Sequence, residues 1–401
     1  LCRDWSSDVC SSDLAAGVAC GLKKNGQPDL ALIVSDYPAT AAGVFTRNTV
    51  KGHSLQLSLE NIKGGLCRAV IINSGNANAC IGPQGRRDAQ AMAESVAVRL
   101  GCPADQVLTG STGVIGQKLN MNAVERGIGA AFASLAGTAE ASDLAEKAIM
   151  TTDLIPKICS VQLLIDDYEI TVAGMAKGSG MIHPNMATMI GVIATDCAIE
   201  GPALQAALTG AANKTFNRVS VDGDTSVCDM VIALANGASC IPTLQSGSEG
   251  ARLLEHAIEY VSAELSRMIA RDGEGATKLI EIQANGAKNP DDAYKIVLAV
   301  ARSPLVKTAI FGEDANWGRI LTAAGYSGAD FDPDRCDIYL GSLKVCENGC
   351  ALPFDEVLAK QILQNKDILI RIELGDGNAS DRIWTCDFSY DYVRINGSYR
   401  S

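Results

Sequence analysis

The chain is 401 residues long, 47% hydrophobic, and carries 34 Lys and Arg against 46 Asp and Glu, a formal net charge of −12. That much apolar material can bury one large core or two domains. An acidic chain without a basic run argues against nucleic acid or an anionic membrane surface as a partner. No apolar stretch reaches the roughly 18 residues that a bilayer span needs, so a soluble, cytoplasmic protein is expected.

The 14 cysteines are scattered without a C-x-x-C, and the closest pair, Cys346 and Cys350, is far in sequence from the three histidines His53, His183 and His256. Buried free thiols are expected rather than a zinc site, and a chain of this size does not need disulfides. Residues 1–14, L-C-R-D-W-S-S-D-V-C-S-S-D-L, show no periodic pattern and neither the basic nor the apolar region of a signal peptide. They are expected to be foreign to the natural gene or disordered, outside the fold.

Leu30 to Ser35 and Ala69 to Asn73 read as buried strands. The small-residue loop Asn73 to Gly85 either lines a pocket with backbone amides or simply turns the chain, and leads to an amphipathic helix over about 86–100. Val107 to Gly116, V-L-T-G-S-T-G-V-I-G, ends an apolar lead in a turn where a hydroxyl and a backbone N–H can face outward together. Such a pair is able to hold a developing oxyanion. Helices follow over about 122–135 and 140–150, then T-T-D at Thr151 to Asp153. Strands are expected over 158–165 and 168–173, with Asp166-Asp167 as a hairpin turn.

Ala176 to Asp196 reads A-K-G-S-G-M-I-H-P-N-M-A-T-M-I-G-V-I-A-T-D. Its glycines, Gly178 and Gly180, permit unusual backbone angles, and Pro184 blocks a helix through His183. From Thr188 to Ala194 it is apolar and reads as a core strand. The bland reading is a tight turn into that strand. The sharper one makes Thr188 a new chain end, whose own amine, titrating near about 7.7–8.0, serves as base for its hydroxyl.

Beyond this point a helix is expected over about 202–213. The turn Ser220 to Ser226 has the aspartates of a calcium loop, but Ala233 stands where the closing Glu belongs. A long amphipathic helix over 251–271 runs into R-D-G-E-G-A-T-K, which places Glu274 on a tight turn before a strand over 278–284. Gly312 to Arg319 lacks nucleotide-loop spacing. Strands over 337–344 and 367–374 flank a helix near 354–364, and the tail from Tyr390 reads as strand to Ile395 and then as loose polar chain.

K-G-S-G-M-I-H-P-N-M-A-T-M-I-G resembles the cleavage signature of the glutamate N-acetyltransferase family, also called ornithine acetyltransferases, and the likeness covers about Ala15 to Ser401. The resemblance implies self-cleavage between Ala187 and Thr188, giving an α chain (15–187) and a β chain (188–401). It implies Thr188 as nucleophile, and Thr112 and Gly113 of S-T-G-V-I-G as the oxyanion hole. Substrate-binding residues would be Thr151, Lys177, Thr188, Glu274 and, from the tail, Asn396 and Ser401. From charge, Lys177 suits a carboxylate and Glu274 an ammonium. The implied fold is α/β, a layered sandwich with helices outside two sheets plus a smaller C-terminal lobe, assembled as a heterotetramer of two α and two β chains.

The implied reaction carries acetyl from N2-acetylornithine to glutamate through an acetyl-threonine, in arginine biosynthesis, without metal or cofactor. Acetyl-CoA is a second donor in some members. The alternative is an N-terminal-nucleophile aminopeptidase or amidase of related fold, in which water replaces glutamate. His183, five residues before Thr188 in sequence, is read as shaping the loop rather than as a base.

Overall fold

The structure is a computed structural model that describes residues 2–3, 13–183 and 189–398. Thr188, Ala187 and Ser401 lie outside the described residues. The chain forms two compact units. The first takes the described residues up to Met181, residues 189–217 and Asp224–Leu265. The second takes Ile182 and His183, Arg218–Gly223 and residues 266–398.

The first unit is built on strands β1 (Cys2–Arg3), β2 (Asp13–Val18), β3 (Leu30–Phe45), β4 (Leu66–Asn73), β5 (Val107–Ser111), β6 (Ile158–Ile165), β7 (Tyr168–Lys177) and β8 (Ile190–Thr195). After the short β9 (Val219–Ser220) of the second unit, β10 (Met230–Ala235) completes its sheet, in the order β1-β6-β7-β8-β10-β3-β4-β5, with β2 also on β3. Its helices are α1 (His53–Asn61), α2 (Pro83–Leu100), α3 (Met121–Ser134), α4 (Ala139–Ile149) and α5 (Gly201–Lys214), and α6 (Glu249–Arg271) carries the chain onward.

Both faces of this sheet are covered, which explains the unbroken apolar runs. Leu30, Leu32, Ala69 and Ile71 pack with Met92 and Val96 of α2 and Ile128 of α3. Ala31, Ile33, Val70 and Ile72 pack on the other face with Ala145 and Ile149 of α4. The Asp166-Asp167 turn has φ of 48° and 67°, as a two-residue hairpin requires. Asp13 and Leu14, set aside as foreign, pair in β2 with Ser35 and Val34.

The second unit holds β11 (Leu279–Ala287), β12 (Asp337–Leu340), β13 (Leu343–Glu347), β14 (Cys350–Ala351), β15 (Asp367–Glu373) and β16 (Ala379–Cys386), ordered β14-β13-β12-β15-β11-β16-β9. Its helices are α7 (Pro290–Arg302), α8 (Pro304–Phe311), α9 (Trp317–Gly325), α10 (Glu356–Leu363) and α11 (Tyr390–Gly397). Alternating Ile368, Ile370 and Ile372 of β15 meet Ile296, Val297 and Val300 of α7 in its core. Arg218 grips Asp381 with Nε–Oδ1 and Nη2–Oδ2 distances of 2.9 Å each, while its guanidinium lies 4.1 Å from the Tyr294 ring centre.

The protein is thus mixed α/β with two sheets, as the resemblance implies. Two further expectations fail. Residues 337–344 form a hairpin rather than one strand, because Gly341 turns the chain at φ 57°. The tail is a helix: Ser389 caps it by accepting from the Asp391 N–H, and Arg394 pairs with Asp391 at 3.0 Å one turn on.

Candidate functional site

The turn Ser111–Gly116, expected to hold an oxyanion, is built by close backbone contact. Thr112 donates its N–H to the Asn73 carbonyl at 3.0 Å, and the Ala77 N–H donates to Val114 O at 3.0 Å. Gly113 sits at φ 125°, where a Cβ would lie 2.5 Å from the Gly75 carbonyl carbon. Only glycine fits there. The turn therefore holds Thr112, itself buried, in one place.

Lys177, at the end of β7, is buried, and its Nζ lies 3.5 Å from Thr112 Oγ1 and 4.0 Å from Asp153 Oδ2. Asp153 is the centre of this cluster. Its Oδ1 accepts from Lys157 Nζ at 2.8 Å and from the Gly178 N–H at 2.6 Å, and its Oδ2 accepts from the Thr151 N–H at 2.9 Å. Burial pushes its carboxyl upward, but the ammonium groups of Lys177 and Lys157 and the hydrogen bonds outweigh it, so Asp153 stays ionised far below the usual carboxylate range. One carboxylate thus joins the Thr151 loop to the Lys177–Gly178 junction.

Behind it stands Glu146 of α4, whose Oε1 accepts from the Lys157 N–H at 3.0 Å and whose Oε2 has no hydrogen-bond partner among the described residues. Burial lifts this carboxyl to about 8 against the pull of Lys157. Asp229, just before β10, is fully buried and accepts from the Met189 N–H at 3.1 Å.

Of the expected site residues, Thr112, Gly113, Thr151 and Lys177 belong to the first unit, and Lys177 is in reach of Thr112. Glu274 and Asn396 belong to the second unit, where Asn396 Nδ2 donates to Glu274 Oε2 at 2.8 Å. The α11 backbone presses on this turn: a Cβ on Gly275, at φ 70°, would lie 2.4 Å from the Tyr392 nitrogen. His183 is also in the second unit, with Nδ1 3.2 Å from Ser220 Oγ. Burial, aided by the charge of Arg302, lowers it to about 4, so its imidazole is neutral at neutral pH. The neighbouring Ile182 N–H donates to Asp222 Oδ1 at 3.0 Å, which gives the S-V-D-G-D turn a structural task.

Asp153, Lys157, Glu146 and Asp229 were not expected at the site. Two of them carry only a faint mark in the sequence, Asp153 as the third letter of T-T-D and Asp229 as the lone acid heading the apolar run M-V-I-A-L-A, and neither mark shows burial or partners. Among the described residues no group of His, Cys, Asp and Glu is arranged to hold a metal ion, and no helix is long and apolar enough to cross a membrane.

Comparison with known proteins places this chain in a family. The arginine biosynthesis bifunctional protein ArgJ of Caldanaerobacter subterraneus subsp. tengcongensis is 49% identical over 392 residues, 97% of this chain and 96% of that protein. The protein of the same name from Thermotoga neapolitana is 47% identical over 394 residues, 96% of this chain and 98% of its own. A crystal structure of arginine biosynthesis bifunctional protein ArgJ from Bacillus halodurans, 41% identical, superposes with a TM-score of 0.50 and covers 51% of this chain and 96% of its own. The model of the ArgJ family matches residues 14–401. The chain belongs to the ArgJ family.

Proposed function

We propose that the chain moves an acetyl group from N2-acetylornithine to glutamate, releasing ornithine and N-acetylglutamate. It is an acyltransferase of arginine biosynthesis, and the ArgJ match over nearly its whole length carries that reading. "Bifunctional" in the relatives' names fits acetyl-CoA as a second donor. The scheme uses no cofactor.

In the precursor, Thr188 Oγ attacks the Ala187 carbonyl, and water hydrolyses the resulting ester. Ala187 keeps a carboxylate, and Thr188 gains a free amine. A solved relative that is 96% covered yet matches only 51% of this chain has the length of one such product. The amine then takes the Oγ proton as Oγ attacks the acetyl carbonyl. The Thr112 hydroxyl and the Gly113 N–H hold the oxyanion. Its collapse expels ornithine, whose nitrogen takes the proton, and leaves acetyl-Thr188. The glutamate amine attacks that ester by the reverse path.

Lys177 receives the substrate carboxylate, with Asp153 as its standing counter-charge, and Thr151 lies on the loop that Asp153 holds. Because Lys177 Nζ donates to Thr112 Oγ1, the Thr112 proton is left for the oxyanion. Glu274, Asn396 and Ser401 bind the rest of the substrate, Glu274 through ornithine's side-chain ammonium. The cleaved protein works in the cytoplasm as a heterotetramer of two α and two β chains.

The test is ornithine release from N2-acetylornithine with and without glutamate, alongside N-terminal sequencing. Glutamate-dependent release and a chain starting at Thr188 are expected. Release that ignores glutamate means water is the acceptor, and an intact, active chain of 41.9 kDa overturns the nucleophile.

A further inference from the structure

Met189 follows the nucleophile directly, so its N–H belongs to the peptide bond on the C-terminal side of Thr188. Two consecutive residues pin it. The Met230 N–H donates to the Met189 carbonyl at 3.0 Å, as the parallel pairing of β10 with β8 continues one residue beyond Ile190. On the other side the Met189 N–H donates to the Asp229 side chain, Oδ1 at 3.1 Å, and among the described residues it has no strand partner. Asp229 is itself fixed, because its carbonyl accepts from the Thr46 N–H at 3.0 Å where β10 meets β3.

We propose that Asp229 is a positioning residue for the acyl transfer: it holds the Met189 N–H at the head of β8 and so sets where the nucleophile's peptide enters the sheet. This rests on the reading of Thr188 given above. Reaction rates depend steeply on such placement, and a displacement of about 1 Å can lower them about 10²-fold.

The surroundings fix the form in which Asp229 works. Burial drives its carboxyl well above the usual carboxylate range, against the opposing pull of the Met189 N–H, the Lys177 charge and the nearby Thr46 and Ser226 hydroxyls. Among the described residues Oδ2 makes no well-formed hydrogen bond. A neutral acid has the shape and the acceptor of an amide, so asparagine should replace it, whereas leucine keeps the volume and removes the acceptor.

Asp229→Asn and Asp229→Leu are compared with wild type for self-cleavage, thermal midpoint, and kcat and KM in acetyl transfer. In folded protein the Leu variant is expected to lose about 10²-fold in kcat with KM for N2-acetylornithine within about threefold, and Asn to restore kcat to within about fivefold. If the Leu variant does not fold, Asp229→Ser, too short to reach the N–H, takes its place. A folded Leu or Ser variant with wild-type kcat overturns the proposal, as does an Asn variant as slow as either. Absence of transfer in the wild type would instead sink the acyl-transfer reading itself.

Discussion

Lys177 brings its ammonium to within 3.5 Å of the Thr112 hydroxyl, and the same ammonium faces Asp153 at 4.0 Å. A cation this close to the proposed oxyanion turn, with both buried, is expected to be coupled to it. Lys177→Met should therefore lower kcat/KM by at least about 10²-fold, with both KM and kcat affected, because substrate grip and hydroxyl orientation are lost together. Steady-state kinetics on folded protein checks this; a change in KM alone would uncouple the two residues.

Thr112 and Gly113 separate chemistry from stability. Thr112→Val keeps the shape and removes one proposed oxyanion donor, so kcat should fall by about 10²–10³ while urea stability barely changes. Gly113→Ala forces a Cβ to 2.5 Å from the Gly75 carbonyl carbon at φ 125°, and should destabilise the fold by about 3 kcal/mol in urea unfolding.

Glu146 makes stability depend on pH. Its carboxyl, ordinarily at 4.5, sits at about 8 in the folded protein. The folded state then holds a proton that the unfolded chain has released, so the stabilisation is full below about 4.5 and is lost as pH rises to about 8. Glu146→Gln keeps an acceptor for the Lys157 N–H and cannot ionise. The wild-type melting temperature should fall more steeply than the variant's between about pH 5 and pH 8. Parallel curves would show that Glu146 does not carry the effect.

His183 is neutral at neutral pH, and it hydrogen-bonds with Ser220 in its own unit. In protein that is already cleaved, His183→Ala should keep turnover within about tenfold of wild type if, as proposed, the amine of Thr188 is the base. A loss of about 10³-fold or more would assign that role to the imidazole instead.

Much of the architecture could be read from periodicity, and the failures have identifiable causes. The buried strands around Val70 and Ile190 stand out because a sheet covered on both faces demands continuous apolar residues. The tail was misread because Tyr390, Tyr392, Val393 and Ile395 favour strands in isolation, while the Ser389 cap and the Asp391–Arg394 pair decide for a helix. At the candidate site, Lys177 opens the long family signature and the turn Ser111–Gly116 is the separate S-T-G-V-I-G motif, so both could be picked out by sequence. Asp153 and Glu146 were not, because no local pattern shows which acids share a buried cluster: Glu146 lies on a helix that reads as ordinary, and only tertiary packing brings it to Lys157.

Strands β7 and β8 lie on either side of the bond that is proposed to break, and they pair antiparallel from Val172–Thr195 to Lys177–Ile190. β8 is in turn hydrogen-bonded to β10 on its other edge. Severing the connection costs the native sheet none of these bonds, so the matured protein should hold its shape as firmly as its precursor. Recovery from denaturation is another matter: two separate polypeptides must first find each other, and renaturation becomes bimolecular and dependent on dilution. A molecule synthesised as a single thread would then have one opportunity to fold by itself, before it is cut.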